Sequence, residues 1–152
     1  DPEMLPTVGS LGLSYVAMHK RGTAATMQDM CDYEDIVHEV GEYFRDFALK
    51  AEKHGIKDWV LDPGFGFAKT LDQNYELLRN LDRFRESFGN RRILVGVSRK
   101  SMIYKYLGIS PEESLPATQV LHLAALSRGA DILRVHDSAE ASRTVSLYRQ
   151  LG

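Results

Sequence analysis

Trp59-Val60-Leu61-Asp62-Pro63-Gly64-Phe65-Gly66-Phe67-Ala68-Lys69 begins as an apolar run, stops on a carboxylate and turns through two glycines to a lysine. A near-continuous apolar run of this length suits a strand buried on both faces, as in a parallel sheet. Three more runs share that character: Tyr15–His19 before it, and Ile93–Ser98 and Ile132–His136 after it. Each is rich in Val, Ile, Leu or aromatic residues and ends in polar residues or glycine.

The segments between these runs have helical period. Ile36, Val40, Phe44, Phe47 and Ala51 form one stripe, closed by Gly55 as a C′ residue. Thr70 with Gln73 reads as a capping box, and Leu71, Tyr75, Leu78 and Leu81 carry the apolar face on to Gly89. Ala117, Val120, Leu121 and Ala124 form a third stripe, ending at Gly129. Asp137 with Glu140 is expected to cap the last helix, with Ala141, Val145 and Tyr148 on its buried side. Asp1 suits an N-cap and Pro2 the first helical position, so a helix is expected from the outset, and the opening reads as a cut, not a domain edge.

A helix followed by four strand–helix units predicts parallel strands with right-handed crossovers, hence an α/β fold. An open doubly wound sheet and a barrel both satisfy this order. A whole TIM (β/α)8 barrel takes about 250 residues, so the 152 here suffice for about half of one. No linker or low-complexity segment divides residues 1–152, which read as one domain; Lys20–Asp29 and Gly108–Pro116 are the longest expected loops.

Charge and composition exclude several classes of partner. The 19 Lys and Arg are scattered among 21 Asp and Glu, for a net charge of −2, without the basic stripe that nucleic acid or an anionic membrane requires. One cysteine, Cys31, permits no intrachain disulfide and fits a reducing compartment. No apolar stretch approaches the roughly 20 residues of a membrane-spanning helix, and the N-terminus lacks a basic-then-apolar signal. A cytoplasmic protein is expected.

Ligands of parallel βα proteins meet the carboxyl ends of the strands. Asp62, Ser98-Arg99-Lys100, Arg134-Val135-His136-Asp137 and Met18-His19-Lys20-Arg21 all lie there. Alternation puts Val60 with Asp62 on one face, Gly96 with Ser98 and Lys100 on one face, and Arg134 with His136 on one face. If these faces point inward, a carboxylate, an ammonium, a guanidinium and an imidazole share one mouth, which suits a polar or anionic substrate. Each has a bland reading when taken singly. Asp62 stabilises a turn, Arg134 forms a structural ion pair, His136 is an interior histidine, and Lys100 is a loop charge or a first-turn residue. Gly64 and Gly66 serve backbone geometry, and Phe65 and Phe67 fill core. Four such groups at equivalent strand ends favour the site. The chain has no G-x-S-x-G elbow, its five histidines lack zinc spacing, and the glycines before Lys69-Thr70 are not at phosphate-loop spacing.

At these residues the chain resembles dihydropteroate synthase. Asp62-Pro-Gly-Phe-Gly-Phe-Ala-Lys69 is similar to that family's aspartate-proline-glycine loop, Val97-Ser-Arg-Lys100 to its lysine strand, and Arg134-Val-His136-Asp137 to its final anion-binding strand. Tyr15–Gly22, running on to Thr26-Met27-Gln28, is similar to a fourth stretch, so the resemblance covers essentially the whole chain. It implies a TIM (β/α)8 barrel of which this chain holds the last four strand–helix units. It also implies a transferase of folate biosynthesis that condenses p-aminobenzoate with 6-hydroxymethyl-7,8-dihydropterin diphosphate and releases diphosphate.

By this resemblance Asp62 and Lys100 bond the pterin ring, and Met18 and Gly96 line its pocket. Arg134 and His136 bind the diphosphate, Arg134 also lying against the ring, while Phe67 and Ser98 border the p-aminobenzoate site where sulfonamides compete. The resemblance implies Mg²⁺, with its asparagine ligand in the N-terminal half and no metal ligand in this one. It leaves out that half, so the chain alone is expected to be inactive and to be a homo-oligomer. A pterin-binding methyltetrahydrofolate methyltransferase domain shares the barrel and the aspartate loop, and a non-catalytic self-associating half-barrel is the non-enzyme alternative.

Overall fold

The computed structural model describes residues 1–23 and 25–151. Ala24, within the expected loop Lys20–Asp29, and Gly152 lie outside the described residues, as does the side chain of Gln28. Seven helices and four strands follow in order among the described residues: α1 Met4–Ser10, β1 Tyr15–Met18, α2 Ile36–Lys53, β2 Trp59–Asp62, α3 Leu71–Arg79, α4 Leu81–Phe88, β3 Leu94–Val95, α5 Ser101–Leu107, α6 Leu115–Leu126, β4 Ile132–Leu133 and α7 Ser138–Leu151. The fold is mixed α/β with parallel strands. Strand β1 pairs with β2 from Tyr15↔Trp59 to Met18↔Asp62, and β3 pairs with β4 through Leu94↔Ile132 and Val95↔Leu133. A parallel bridge between Leu61 and Ile93 joins the two pairs. The strands thus lie in chain order, without the reversal that defines a doubly wound switch point.

Register sorts the side chains into two faces. Ala17, Trp59, Leu61, Ile93, Val95 and Val97 point to the helices and are buried there with Phe44, Leu77, Leu81 and Met102. Phe44 anchors this layer, with ring contacts to Trp59, Phe84, Phe88 and Tyr43. The opposite face carries Val16 and Met18, Val60 and Asp62, Leu94, Gly96 and Ser98, and Ile132, Arg134 and His136. That face is open at its β1 and β4 sides: Val16 is 49% exposed, and Ile132 is half-buried.

Local signals account for much of this. Helix α2 buries Ile36, Val40, Phe44, Phe47 and Ala51, and Gly55 follows it at φ +72°. Thr70 and Gln73 form the expected capping box. Other expectations need correction. The first helix starts at Met4 behind Glu3, with no side-chain cap bond; Asp1 instead accepts from the N–H of Glu3. The helix expected to run on to Gly89 breaks at Asn80, whose amide donates to the Glu76 carbonyl at 2.8 Å and competes with the helix ladder. On α6 the buried face is Thr118, His122, Ala125 and Leu126, while Val120 is 65% exposed. Both carboxylate oxygens of Asp137, just before α7, accept from Arg99 at 2.8 Å. The last two strands are shorter than their apolar runs, since Gly96 onward curves toward the turn at Arg99, whose φ is +51°. Two of the strand-to-strand intervals carry two helices each, α3 with α4 and α5 with α6. The expected loops hold short 3-10 turns at Met27–Asp29 and Glu112–Ser114. Among the described residues no helix is long and apolar enough to cross a membrane.

Candidate active site

Strand β2 delivers Asp62 to the open face and the chain then reverses at once. Gly64 takes φ +71°, and a Cβ there would lie 1.9 Å from the His19 carbonyl oxygen, so only glycine lets the loop cross the end of β1. Asp62 is 3% exposed. One of its oxygens accepts from the Gly64 N–H at 2.8 Å; the other lies 3.9 Å from the Arg134 guanidinium. Burial pushes its carboxyl above the usual range, against the pull of the Gly64 N–H, Arg134, Lys100 and Lys69.

Lys100 stands just before α5 and bends back over the loop. Its ammonium donates to the Phe65 carbonyl and sits 4.7 Å from the centre of the Phe67 ring, and its stem passes over Gly66. Burial, aided by Arg134 and opposed by Asp62, lowers its pKa to about 8. Arg134 crosses β3 at Gly96, where a Cβ would come within 2.9 Å of the guanidinium. His136 leans on buried Ser98: the Ser98 hydroxyl accepts from the His136 backbone N–H at 3.2 Å and lies 3.0 Å from Nδ1. Met18 ends β1 in register with Asp62, and its carbonyl accepts from the Tyr43 hydroxyl at 3.0 Å.

Thus Asp62, Lys100, Arg134, Gly96, Phe67 and Met18 share one mouth, with Ser98, past β3, and His136, past β4, paired beside it. Phe65 belongs to the core and is fully buried. A cavity of about 590 Å³ lies at the other end of the strands. Its Arg91 donates to the Lys57 carbonyl and covers Trp59, so these groups are engaged with one another and do not converge on a ligand.

Two residues of this region were placed near the strand ends by the sequence, with no sign of their burial or of their partners. Lys69 and His19 are each 4% exposed and meet at 3.0 Å behind the loop. Burial and neighbouring cations bring His19 down to about 3, and burial brings Lys69 down to about 7. A lysine closing a glycine-rich run reads as exposed; only an unusual density of positive-φ residues could have hinted at the curl that hides it.

No group of three or more His, Cys, Asp or Glu that could hold a metal ion occurs among the described residues. The one buried carboxylate at the mouth, Asp62, already accepts a backbone N–H and faces cations, so the residues present do not fit a Mg²⁺ site by themselves.

Parallel strand ends that gather a buried acid, a lysine and an arginine against an aromatic ring define a ligand-binding α/β enzyme domain. The chain belongs to the pterin binding enzyme family, which matches residues 1–136. It is similar to dihydropteroate synthase of Escherichia coli, with 40% identity over 95% of this chain and 52% of that protein. Among solved structures it is similar to Yersinia pestis dihydropteroate synthase in a sulfonamide complex, at a TM-score of 0.94 and 31% identity, covering 99% of this chain and 55% of that one. It is also similar to the Thermus thermophilus dihydropteroate synthase solved with 6HMPPP, at a TM-score of 0.93 and 35% identity, covering 99% of this chain and 60% of that one. The chain spans about half the length of the curated relatives it matches.

Proposed function

We propose that this chain supplies the pterin- and diphosphate-binding half of a dihydropteroate synthase, as the last four strand–helix units of a (β/α)8 barrel. The reaction joins p-aminobenzoate to 6-hydroxymethyl-7,8-dihydropterin diphosphate and releases diphosphate. The observation that carries this reading is the meeting of Asp62, Lys100 and Arg134 on one strand face beside the Phe67 ring. Strands in chain order support the barrel, and relatives solved with a sulfonamide, with 4-aminobenzoate and with 6HMPPP support the substrates.

Each residue then has a task. Asp62 and Lys100 bond the pterin edge, with Met18 and Gly96 against the ring. As the bond from the pterin methylene to oxygen breaks, positive charge grows on the ring and negative charge on the departing diphosphate. Asp62, shielded from water, stabilises the first; Arg134 and His136 face the second. The arylamine is already nucleophilic, so Phe67 and Ser98 serve by placing it and by setting His136 in position. Mg²⁺ remains part of the reading, with its ligand outside this chain. The single cysteine supports a cytoplasmic setting. The relatives favour the synthase over the methyltransferase alternative.

In a complete barrel carrying this chain, Lys100→Ala is expected to weaken pterin binding by about 1.5–3 kcal/mol, the scale of a hydrogen bond to a charged group. Arg134→Ala is expected to weaken diphosphate binding, and the wild-type affinity for diphosphate to fall as salt rises. Calorimetry checks both; unchanged pterin affinity removes Lys100 from the site, and diphosphate release coupled to dihydropteroate formation tests the reaction. The 152-residue chain alone is expected to associate, because β1 and β4 are edge strands and Val16 opens the inner face. Sedimentation as a monodisperse monomer would refute this.

A further inference from the structure

We propose that Lys69 is a positioning residue, a buried clamp that holds the Pro63–Ala68 loop in the shape that presents Asp62 and Lys100 to the pterin. The proposal rests on the assignment of those two side chains to the pterin.

An ammonium has three N–H donors. Those of Lys69 are matched by three acceptors: the Gly64 carbonyl at 3.0 Å, the Phe67 carbonyl at 2.9 Å and Nδ1 of His19 at 3.0 Å. With its donors so used and 4% of its surface exposed, Lys69 acts through the loop and does not touch a ligand. The loop needs such a donor set. Gly64, Gly66 and Ala68 have φ of +71°, +81° and +51°, so the backbone curls on itself and turns its carbonyls inward. Between the two carbonyls that Lys69 holds lie the Phe65 carbonyl that receives Lys100 and the Gly66 N–H, which donates to Asn74 at 2.6 Å. Just before them, the Gly64 N–H donates to Asp62.

His19 ties the clamp to the sheet. Its backbone N–H donates to the Asp62 carbonyl at 2.9 Å, and its ring packs against Tyr43 at 5.1 Å and Tyr33 at 6.1 Å. Because Nδ1 accepts from Lys69, the proton of the neutral ring sits on Nε2. Filler alone does not explain Lys69, since an apolar residue of equal length would fill the space without the cost of a buried charge. The charged groups acting on the ammonium are Asp62, Lys100 and Arg21, with Cys31 adding a weaker influence.

The test compares wild type, Lys69→Met and His19→Phe in a complete barrel carrying this chain. The measurements are 6-hydroxymethylpterin affinity by calorimetry and the separate KM values for the pterin diphosphate and for p-aminobenzoate. Lys69→Met is expected to raise the pterin-diphosphate KM and the 6-hydroxymethylpterin Kd about tenfold, the weight of one charge-assisted hydrogen bond, and to raise the p-aminobenzoate KM less, through Phe67 on the same loop. His19→Phe, which removes one of three acceptors and keeps a ring between the tyrosines, should shift the same two constants less. It decides the matter if Lys69→Met does not fold. A fall in kcat alone, with both KM values unchanged, would mean that Lys69 supports only the folded population, and would overturn the proposal. Failure of the wild-type barrel to bind 6-hydroxymethylpterin would overturn the pterin assignment itself, and this proposal with it.

Discussion

Gly64→Ala is expected to cost about 4 kcal/mol or more of folding stability, in the range reserved for a named steric fault. The new Cβ would sit 1.9 Å from the His19 carbonyl oxygen and 3.0 Å from its carbon. Neither can retreat, because His19 is bonded through its backbone N–H to Asp62 and through its ring to Lys69. A control separates this collision from backbone preference. Gly55 has nearly the same φ, +72°, but nothing lies within 4 Å of its added Cβ. Gly55→Ala should therefore cost only the left-handed penalty, about 1 kcal/mol. Urea unfolding of the two variants reads the difference directly. Equal shifts of the midpoint would mean that the loop does not cross β1 as described.

Acid is expected to destabilise the fold well before its carboxylates titrate. His19 is neutral in the folded chain until about pH 3, because burial and the cations Lys69 and Arg21 oppose its protonation. In the unfolded chain it takes up a proton near the usual value of about 6.5. Between these values the unfolded state binds more protons, so stability falls as pH drops from about 6.5 and levels off near 3. The full loss attributable to His19 is about 5 kcal/mol. Buried His122, also lowered by burial, adds to the slope in the upper part of this window. Glu42, Asp58, Glu113 and Asp137, all lowered by hydrogen bonds, contribute only once pH approaches ordinary carboxylate values. His19→Gln offers Lys69 an amide oxygen in place of Nδ1 and has no proton to gain. Its stability between pH 6.5 and 5 should be flatter than wild type by the share of His19, and an unchanged slope would show that His19 is not held neutral.

The two experiments concern one structural unit, the curl between β2 and α3, and that unit marks where legibility ended. Along the strands a period of two needs no tertiary information, so Val60 with Asp62, and Arg134 with His136, could be placed on shared faces from residue order. Register bears out the first pair, with Val16 beside Val60 and Met18 beside Asp62, while Arg134 and His136 lie just past the end of β4. The capping box at Thr70 and Gln73 was equally legible, because its bonds span only three residues. Helix faces were less so. Val120 looks like core by period, but α6 is held against its surroundings through Thr118, His122 and Ala125, and only the packing of α7 on one flank reveals that. Asn80 breaks a helix by bonding its own backbone, a choice that a helical interior would also have permitted.

Lys69 and Lys100 show the division most plainly. Both follow a run containing glycine a few residues past the end of a strand. Alternation carried on through Gly96 and Ser98 puts Lys100 on the inner face, although β3 itself ends at Val95 and Arg99 intervenes at φ +51°. It sets nothing for Lys69, because three positive-φ residues lie between it and β2 and each turns the backbone out of the strand's period. Which lysine meets a ligand and which is buried was therefore decided by the crossing of the loop over β1, a contact across 45 residues, from His19 to Gly64, that no local pattern encodes.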